Sequence, residues 1–274
     1  MGFSRFRTLF GLLGLVCLSG AVSPAVAADD FPYDLETGTE ASVLGSSAVL
    51  FGLGLWADQD YEPLTPEDIA SLDPESLNWF DRSAARRWSP GAAAASDIML
   101  YTTLAAPLSL MLTDQGSRQP GKLGAIYLET VLLQGGLTFL AKNSFARTRP
   151  YVYNDDPDIP LAKKMEKTSR HSFYSGHTSS AFASMVFLAG VFEKLYPESS
   201  ARVWVWGGCM TAAAATGYLR YAAGRHYPTD ILVGAVMGAF VGYLVPSLHE
   251  IETGAPGGNG KSRQSVTVGF SFGF

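Results

Sequence analysis

Histidine is scarce in this chain, with four in 274 residues. Cysteine is scarcer: only Cys17 and Cys209 are present. No cysteine or carboxylate cluster has metal-ligand spacing, so neither a zinc nor a calcium site is expected. Asp155, Asp156 and Asp158 lie among Pro157 and Pro160 and read as a solvated loop. Charge is thin as well, at 16% of residues, against about 25% in a typical soluble domain. That shortage, beside 47% hydrophobic residues, argues against a water-soluble globule. Nothing in the composition suggests a nucleic-acid partner.

The apolar residues fall into segments. Stretches 92–112, 123–141, 178–195, 203–219 and 229–246 approach the ~20 residues that cross a bilayer. A weaker stretch, 42–57, is short and contains Gly45, Ser46 and Ser47. None is a leucine wall, and buried helices of a soluble bundle are the alternative. Gly234, Gly238 and Gly242 recur every four residues, a spacing that lets helices approach closely in a membrane. Glu129 sits inside an apolar stretch and calls for a structural partner within the bundle.

The N-terminus reads as a secretory leader over 1–27. Arg5 and Arg7 precede an apolar run at 9–18, and Ala25-Val26-Ala27 offers a cleavage site. Its removal leaves Cys209 alone, which excludes an intrachain disulfide. That cysteine reads as plain packing in an Ala-rich helix.

Three short segments hold the chemistry. The first is KNSFARTRP at 142–150, the second SFYSGHTS at 172–179, and the third RYAAGRHYPTD at 220–230. They bring three cations (Lys142, Arg149, Arg220), two histidines (His177, His226) and one carboxylate (Asp230). Fixed positive donors stabilise the negative charge on a phosphoryl group in transfer. Ser175 and Gly176 precede an apolar run, which places them at a helix N-terminus, where free N–H groups bind anions. Pro228 suits the first turn of another helix carrying Asp230. Asp230 then comes within reach of His226, where a carboxylate on one ring nitrogen would free the other for attack. His171 lies outside this pattern, and His249 reads as an exposed residue after the last helix.

Together the segments resemble the signature of the type 2 phosphatidic acid phosphatase (PAP2) and vanadium haloperoxidase superfamily: K-x6-RP, then PSGH, then SR-x5-H-x3-D. The likeness runs from about residue 89 to 246. Tyr174 stands in place of the usual proline and Leu219 in place of the usual serine. The resemblance implies an all-α membrane bundle of five to six apolar helices. It implies a metal-independent phosphatase without a cofactor. His226 would be the nucleophile, and His177 the acid and then the base. Lys142, Arg149, Ser175, Gly176 and Arg220 would bind phosphate. The expected substrate is a phospholipid, isoprenoid or lipid A phosphate, and membrane lipids would surround the protein. A soluble periplasmic acid phosphatase or vanadate-dependent haloperoxidase with the same pocket is one alternative; a non-enzymatic envelope protein is another.

The expected layout is a leader at 1–27, an N-terminal segment and acidic connector at 28–88, a PAP2-type domain at 89–250, and a tail at 251–274. That tail is a Gly-rich linker followed by alternation of Val266, Val268, Phe270, Phe272 and Phe274. The alternation resembles the terminal strand of outer-membrane barrels, and an edge strand or partner-binding tail is the reading taken. The loops opposite the motifs hold Arg118, Lys122, Lys194 and Arg202. The positive-inside rule makes those cytoplasmic and the motif face periplasmic, at the inner membrane of a bacterial-type envelope. A cleaved leader together with a crossing 42–57 would reverse this sidedness, so 42–57 is expected not to cross.

Overall fold

The computed structural model describes residues 31–58 and 62–251; the leader at 1–27 and the alternating tail lie outside the described residues. The elements are α1 (Thr37–Asp58), α2 (Pro66–Ala70), α3 (Pro90–Ala105), α4 (Pro120–Phe145), α5 (Leu161–Lys164), α6 (Gly176–Leu195), α7 (Arg202–Ala222) and α8 (Pro228–Leu248). Among the described residues there is no strand, only an isolated bridge between Tyr33 and Glu250.

Helix starts follow local chemistry. Pro90, Pro120 and Pro228 each occupy a first turn, where the missing N–H has no intrahelical partner to lose. Ser89 caps α3, its Oγ accepting from the Ala92 N–H at 3.1 Å. Ser175 caps α6, as the second motif requires.

The six long helices alternate in direction along the chain, so α1 and α4 run the same way side by side, as do α6 and α8. Gly54, near the end of α1, meets Phe139 and Leu140 of α4, and the Asn143 side chain donates to the Gly54 carbonyl at 3.0 Å. Earlier on both helices, Gly136 faces Ser47 and Leu50. A core of Leu123, Ile126, Tyr127, Phe187, Val191, Val241 and Val245 joins α4, α6 and α8.

The glycine stripe of α8 works as its spacing suggests. A Cβ on Gly234, Gly238 or Gly242 would fall 2.8, 2.1 or 2.3 Å from the carbonyl oxygens of Ser175, Ser179 and Ala183. Backbone meets backbone there, so α8 presses on α6 along its length. Cys209 packs with Ala181, Met185, Ala189 and Ala213.

Segments Thr37–Asp58, Pro90–Leu112, Pro120–Tyr153 and Pro228–Leu248 are each long and apolar enough to cross a membrane. Val49, Leu53, Trp56, Ile98, Val203, Trp204, Val236 and Phe240 point outward, a surface suited to lipid. The first of these segments is longer than the sequence reading has it. The stretch 42–57 is part of a helix of 22 residues, roughly 33 Å at 1.5 Å per residue. Its polar residues do not shorten it: Ser47 is buried and returns its hydroxyl to the Val43 carbonyl at 2.8 Å, while Gly54 admits Phe139.

A correction concerns His249. It is fully buried, with Nδ1 2.9 Å from the Val245 carbonyl and Nε2 3.2 Å from Glu129. It is therefore the partner that Glu129 called for. The last turn of α8 folds back under Tyr33 and Asp34, the Asp34 N–H reaching the His249 carbonyl at 2.9 Å.

Candidate active site

All three motif segments emerge at one end of the bundle. Lys142 ends up on the last turn of α4, which stops at Ala146 in the left-handed region. Its Nζ donates to the His171 carbonyl at 3.0 Å. Arg149 follows in extended backbone, with Nε 2.9 Å from the Thr168 carbonyl. Ser175 and Gly176 open α6, and a Cβ on Gly176 would meet Lys142 Cε at 3.3 Å, so this glycine lets the lysine lie against the turn. The Phe173–Tyr174 peptide before it is cis. Arg220 lies buried near the end of α7.

The third segment turns through Gly224. Its φ of +67° is one that side chains rarely adopt, and a Cβ there would lie 1.9 Å from the Arg87 carbonyl. Beyond the turn His226 is almost wholly enclosed, at 1% exposure. Its Nδ1 is 2.7 Å from the Ser172 carbonyl. A carbonyl only accepts, so Nδ1 carries the hydrogen and Nε2 keeps its lone pair. Burial, first, and then the charges of Lys142, Arg149, Arg220 and His177 hold the imidazole well below its ordinary range. The structure thus gathers the three cations and His177 around the neutral His226 ring.

Asp230 has a different task from the one expected. Its Oδ2 is 3.6 Å from His226 Nδ1, beyond hydrogen-bond reach. That oxygen accepts from the Ser172 hydroxyl at 2.5 Å and the Tyr227 N–H at 3.0 Å. Oδ1 takes Arg147. Asp230 therefore fixes the segment whose carbonyl holds the histidine, and acts on the ring through Ser172.

Several contributors carried no spacing signal. Arg147, inside the first segment, links Asp230 to Asp81 at 2.7 Å and lies over the Tyr227 ring, 4.0 Å from its centroid. Asp81 is fully buried and accepts from the Thr229 N–H and hydroxyl at 3.0 and 2.7 Å. Burial alone would raise this carboxyl, but hydrogen bonds from Thr229, Asn78 and Arg147 outweigh it and hold it below the usual range. The acidic connector is thus folded against the site: Leu64, Ile69, Leu72 and Trp88 pack on Tyr151, Val152 and Ile159. Asp97 of α3 sits 2.7 Å from His177 Nε2, and its neighbour Ser96 accepts from Arg220 Nη1 at 3.0 Å. Asp155, Asp156 and Asp158 are exposed loop residues. Among the described residues no group of three or more His, Cys, Asp or Glu could hold a metal ion.

A helical bundle with apolar flanks defines a membrane protein, and at one end it carries a buried histidine among fixed cations. The model of the PAP2 superfamily matches residues 123–253, just under half of the chain. A lipid A 1-phosphatase of Porphyromonas gingivalis is 31% identical over 144 residues, covering 50% of this chain and 28% of that protein. Phospholipid phosphatase 2 of Bos taurus is 36% identical over 147 residues, covering 45% of this chain and 49% of its own. The chain therefore spans about half or less of these two relatives. A solved transmembrane PAP2 type phosphatidylglycerolphosphate phosphatase from Bacillus subtilis aligns over 76% of this chain and 92% of its own. Its identity is 19% and its TM-score 0.35, too low to support an inference.

Proposed function

We propose that this protein hydrolyses a phosphate ester or diphosphate carried by a lipid, without a metal, through a phosphohistidine. The observation that carries this reading is the His226 ring: Nδ1 is bound by a backbone carbonyl and the surrounding charges are Lys142, Arg149 and Arg220. A neutral nucleophile inside a cationic cage suits attack on a phosphoryl group. In the first step Nε2 forms a bond to phosphorus as the ester P–O bond breaks, and His177 protonates the departing oxygen. In the second, His177 takes a proton from water as the water oxygen attacks phosphorus and the P–N bond breaks. Gly176 offers its N–H at the α6 N-terminus to the phosphoryl oxygens, while the Ser175 N–H is taken by the Asp230 carbonyl at 3.1 Å.

The relatives' names point the substrate panel toward lipid A and phospholipid phosphates, with undecaprenyl diphosphate alongside. The outward apolar side chains favour a membrane-borne substrate over the soluble alternative. We place the catalytic body at 89–250, with the folded connector 62–88 anchored to it through Asp81.

For sidedness, the short opposite loops with Arg118, Lys122, Lys194 and Arg202 support a periplasmic site. The reverse reading has one specific observation in its favour: α1 is long enough to cross, and with a cleaved leader that parity turns the site to the cytoplasm.

The chemistry is tested with labelled lipid phosphates and purified protein. Wild type should release phosphate in the presence of chelator and trap a phosphoenzyme labile in acid and stable in base. His226→Ala should lose at least about a thousandfold in kcat. Activity retained in that variant removes the histidine mechanism.

A further inference from the structure

We propose that Asp97 is a positioning residue for His177: it holds Nε2–H, so that the proton exchanged with the leaving oxygen and with water rides on Nδ1. This rests on the hydrolase reading above. Asp97 lies on α3, outside the family match at 123–253, and belongs to none of the three motif segments.

The geometry is specific. Asp97 Oδ1 is 2.7 Å from His177 Nε2 and 3.6 Å from Arg220 Nη1. An ionised carboxylate only accepts, so Nε2 must carry a hydrogen when the two are paired. Nδ1 is then the nitrogen with a free role, and it bonds to none of the described residues. The preceding residue, Ser96, is fully buried and accepts from Arg220. Two consecutive residues of α3 thus serve one residue each from the second and third motifs.

The charges around His177 explain what such a carboxylate is for. Arg220 faces it from α7, Lys142 from α4, and His226 from the loop before α8. All of these are cations or neutral, so they oppose the imidazolium that must form as a proton donor. Asp97 is the carboxylate in direct contact, and it offsets them. Its side chain is 54% exposed, so the pair reaches the surface, as a residue that protonates a departing group must. The arrangement complements that of His226. There a carbonyl holds Nδ1 and leaves Nε2 for phosphorus; here a carboxylate holds Nε2 and leaves Nδ1 for the proton.

Bonds and protons balance with Asp97 as a spectator. The leaving oxygen takes the Nδ1 proton as its bond to phosphorus breaks. Water returns a proton to Nδ1 as its oxygen displaces His226. The carboxylate keeps its hydrogen bond to Nε2 throughout and gains no proton.

The test uses the full chain in detergent micelles. The His177 imidazole is titrated by 15N NMR, its signal assigned by loss in His177→Gln. Asp97→Asn, similar in size but uncharged, should move that titration about one pH unit lower, a tenfold loss of proton affinity. The alkaline limb of kcat on dioctanoyl phosphatidic acid should move by the same amount, and Asp97→Glu should restore much of both. A profile lowered in height but unmoved in pH overturns the proposal, as does an unmoved imidazole titration. If wild type releases no phosphate from any lipid phosphate, the hydrolase reading fails, while the imidazole titration still decides the pairing.

Discussion

Ser172 touches Asp230 with its hydroxyl, at 2.5 Å, and His226 with its carbonyl, at 2.7 Å. The first residue of the second segment therefore transmits the position of the third-segment carboxylate to the nucleophile. The order of holding runs Asp81, Arg147, Asp230, Ser172, His226, and each link is a hydrogen bond to a charged or buried group.

That chain of contacts makes Arg147 a stability residue. It is the guanidinium shared by two fully buried carboxylates, Asp81 and Asp230. Removing one partner of a buried pair strands the other, at a cost of about 3–5 kcal/mol. Arg147→Ala should lower the unfolding midpoint in detergent sharply. Arg82→Ala, which breaks a more exposed pair with Glu75, should cost about 1 kcal/mol or less. Equal midpoints for the two variants would refute the buried network.

Acidity acts through the same groups. His226 is held well below its ordinary 6.5, by burial first and then by the neighbouring cations. Asp81 is held below 3.8 because its hydrogen bonds outweigh burial. Both values are depressed in the folded state, so the unfolded chain binds the proton first as pH falls. Stability should be full above about pH 6.5, decline below it through His226, and decline further below about pH 4 through Asp81. Chemical denaturation measured between pH 8 and 4 should show the first decline, and His226→Gln should remove it. The nucleophile also stays neutral below pH 6, so activity should persist there until His226 finally titrates.

The contact of α8 with α6 should punish a single methyl. Gly238→Ala places a carbon 2.1 Å from the Ser179 carbonyl oxygen, and the helices must part. A loss of about 1–3 kcal/mol is expected, with reduced activity because Ser175 and Asp230 open the same two helices. Gly190→Ala, on α6 with nothing within 4 Å, should be neutral or gain about 1 kcal/mol from helix propensity. Thermal unfolding of the two variants side by side decides this.

Sidedness can be read with single cysteines. Gly224 and Gly116 are poor sites, since any Cβ there meets a carbonyl oxygen at 1.9 Å. Asp156 and Ser117 are exposed and lie at opposite ends. In a background lacking Cys17 and Cys209, Asp156→Cys should react with an impermeant thiol reagent from the periplasm, and Ser117→Cys only after the membrane is opened. The opposite pattern places catalysis in the cytoplasm, as the length of α1 would then require.

The sequence was most informative where residue type and spacing act locally. The run from Lys142 to Pro150, the Ser-Gly turn, and the proline that starts α8 all lie where their short-range chemistry puts them. The glycine stripe was legible because a period of four has a direct packing meaning. Asp97, Asp81 and Ser96 were invisible: each acts across more than fifty residues of chain, and no spacing rule links them to the motifs. His249 was misread because a position just past a helix is ordinarily wet. Here the chain folds back beneath it, and Glu129, one helix away, supplies the partner. The Asp230–His226 pairing was read from a one-turn separation that is correct, yet the carboxylate turns toward Ser172 and Tyr227.

Tyr33 and Glu250 meet at the end of the bundle opposite His177 and His226. The described body is therefore entered and left at one pole, and the reacting groups occupy the other. Every segment at the reactive pole is a closed loop, anchored by a long helix on each side. Within the described body, fraying from either end, at Phe31 or Ile251, would begin a full bundle length from His226. The loops that must hold a nucleophile to a fraction of an ångström are thus set far from where that body starts and stops.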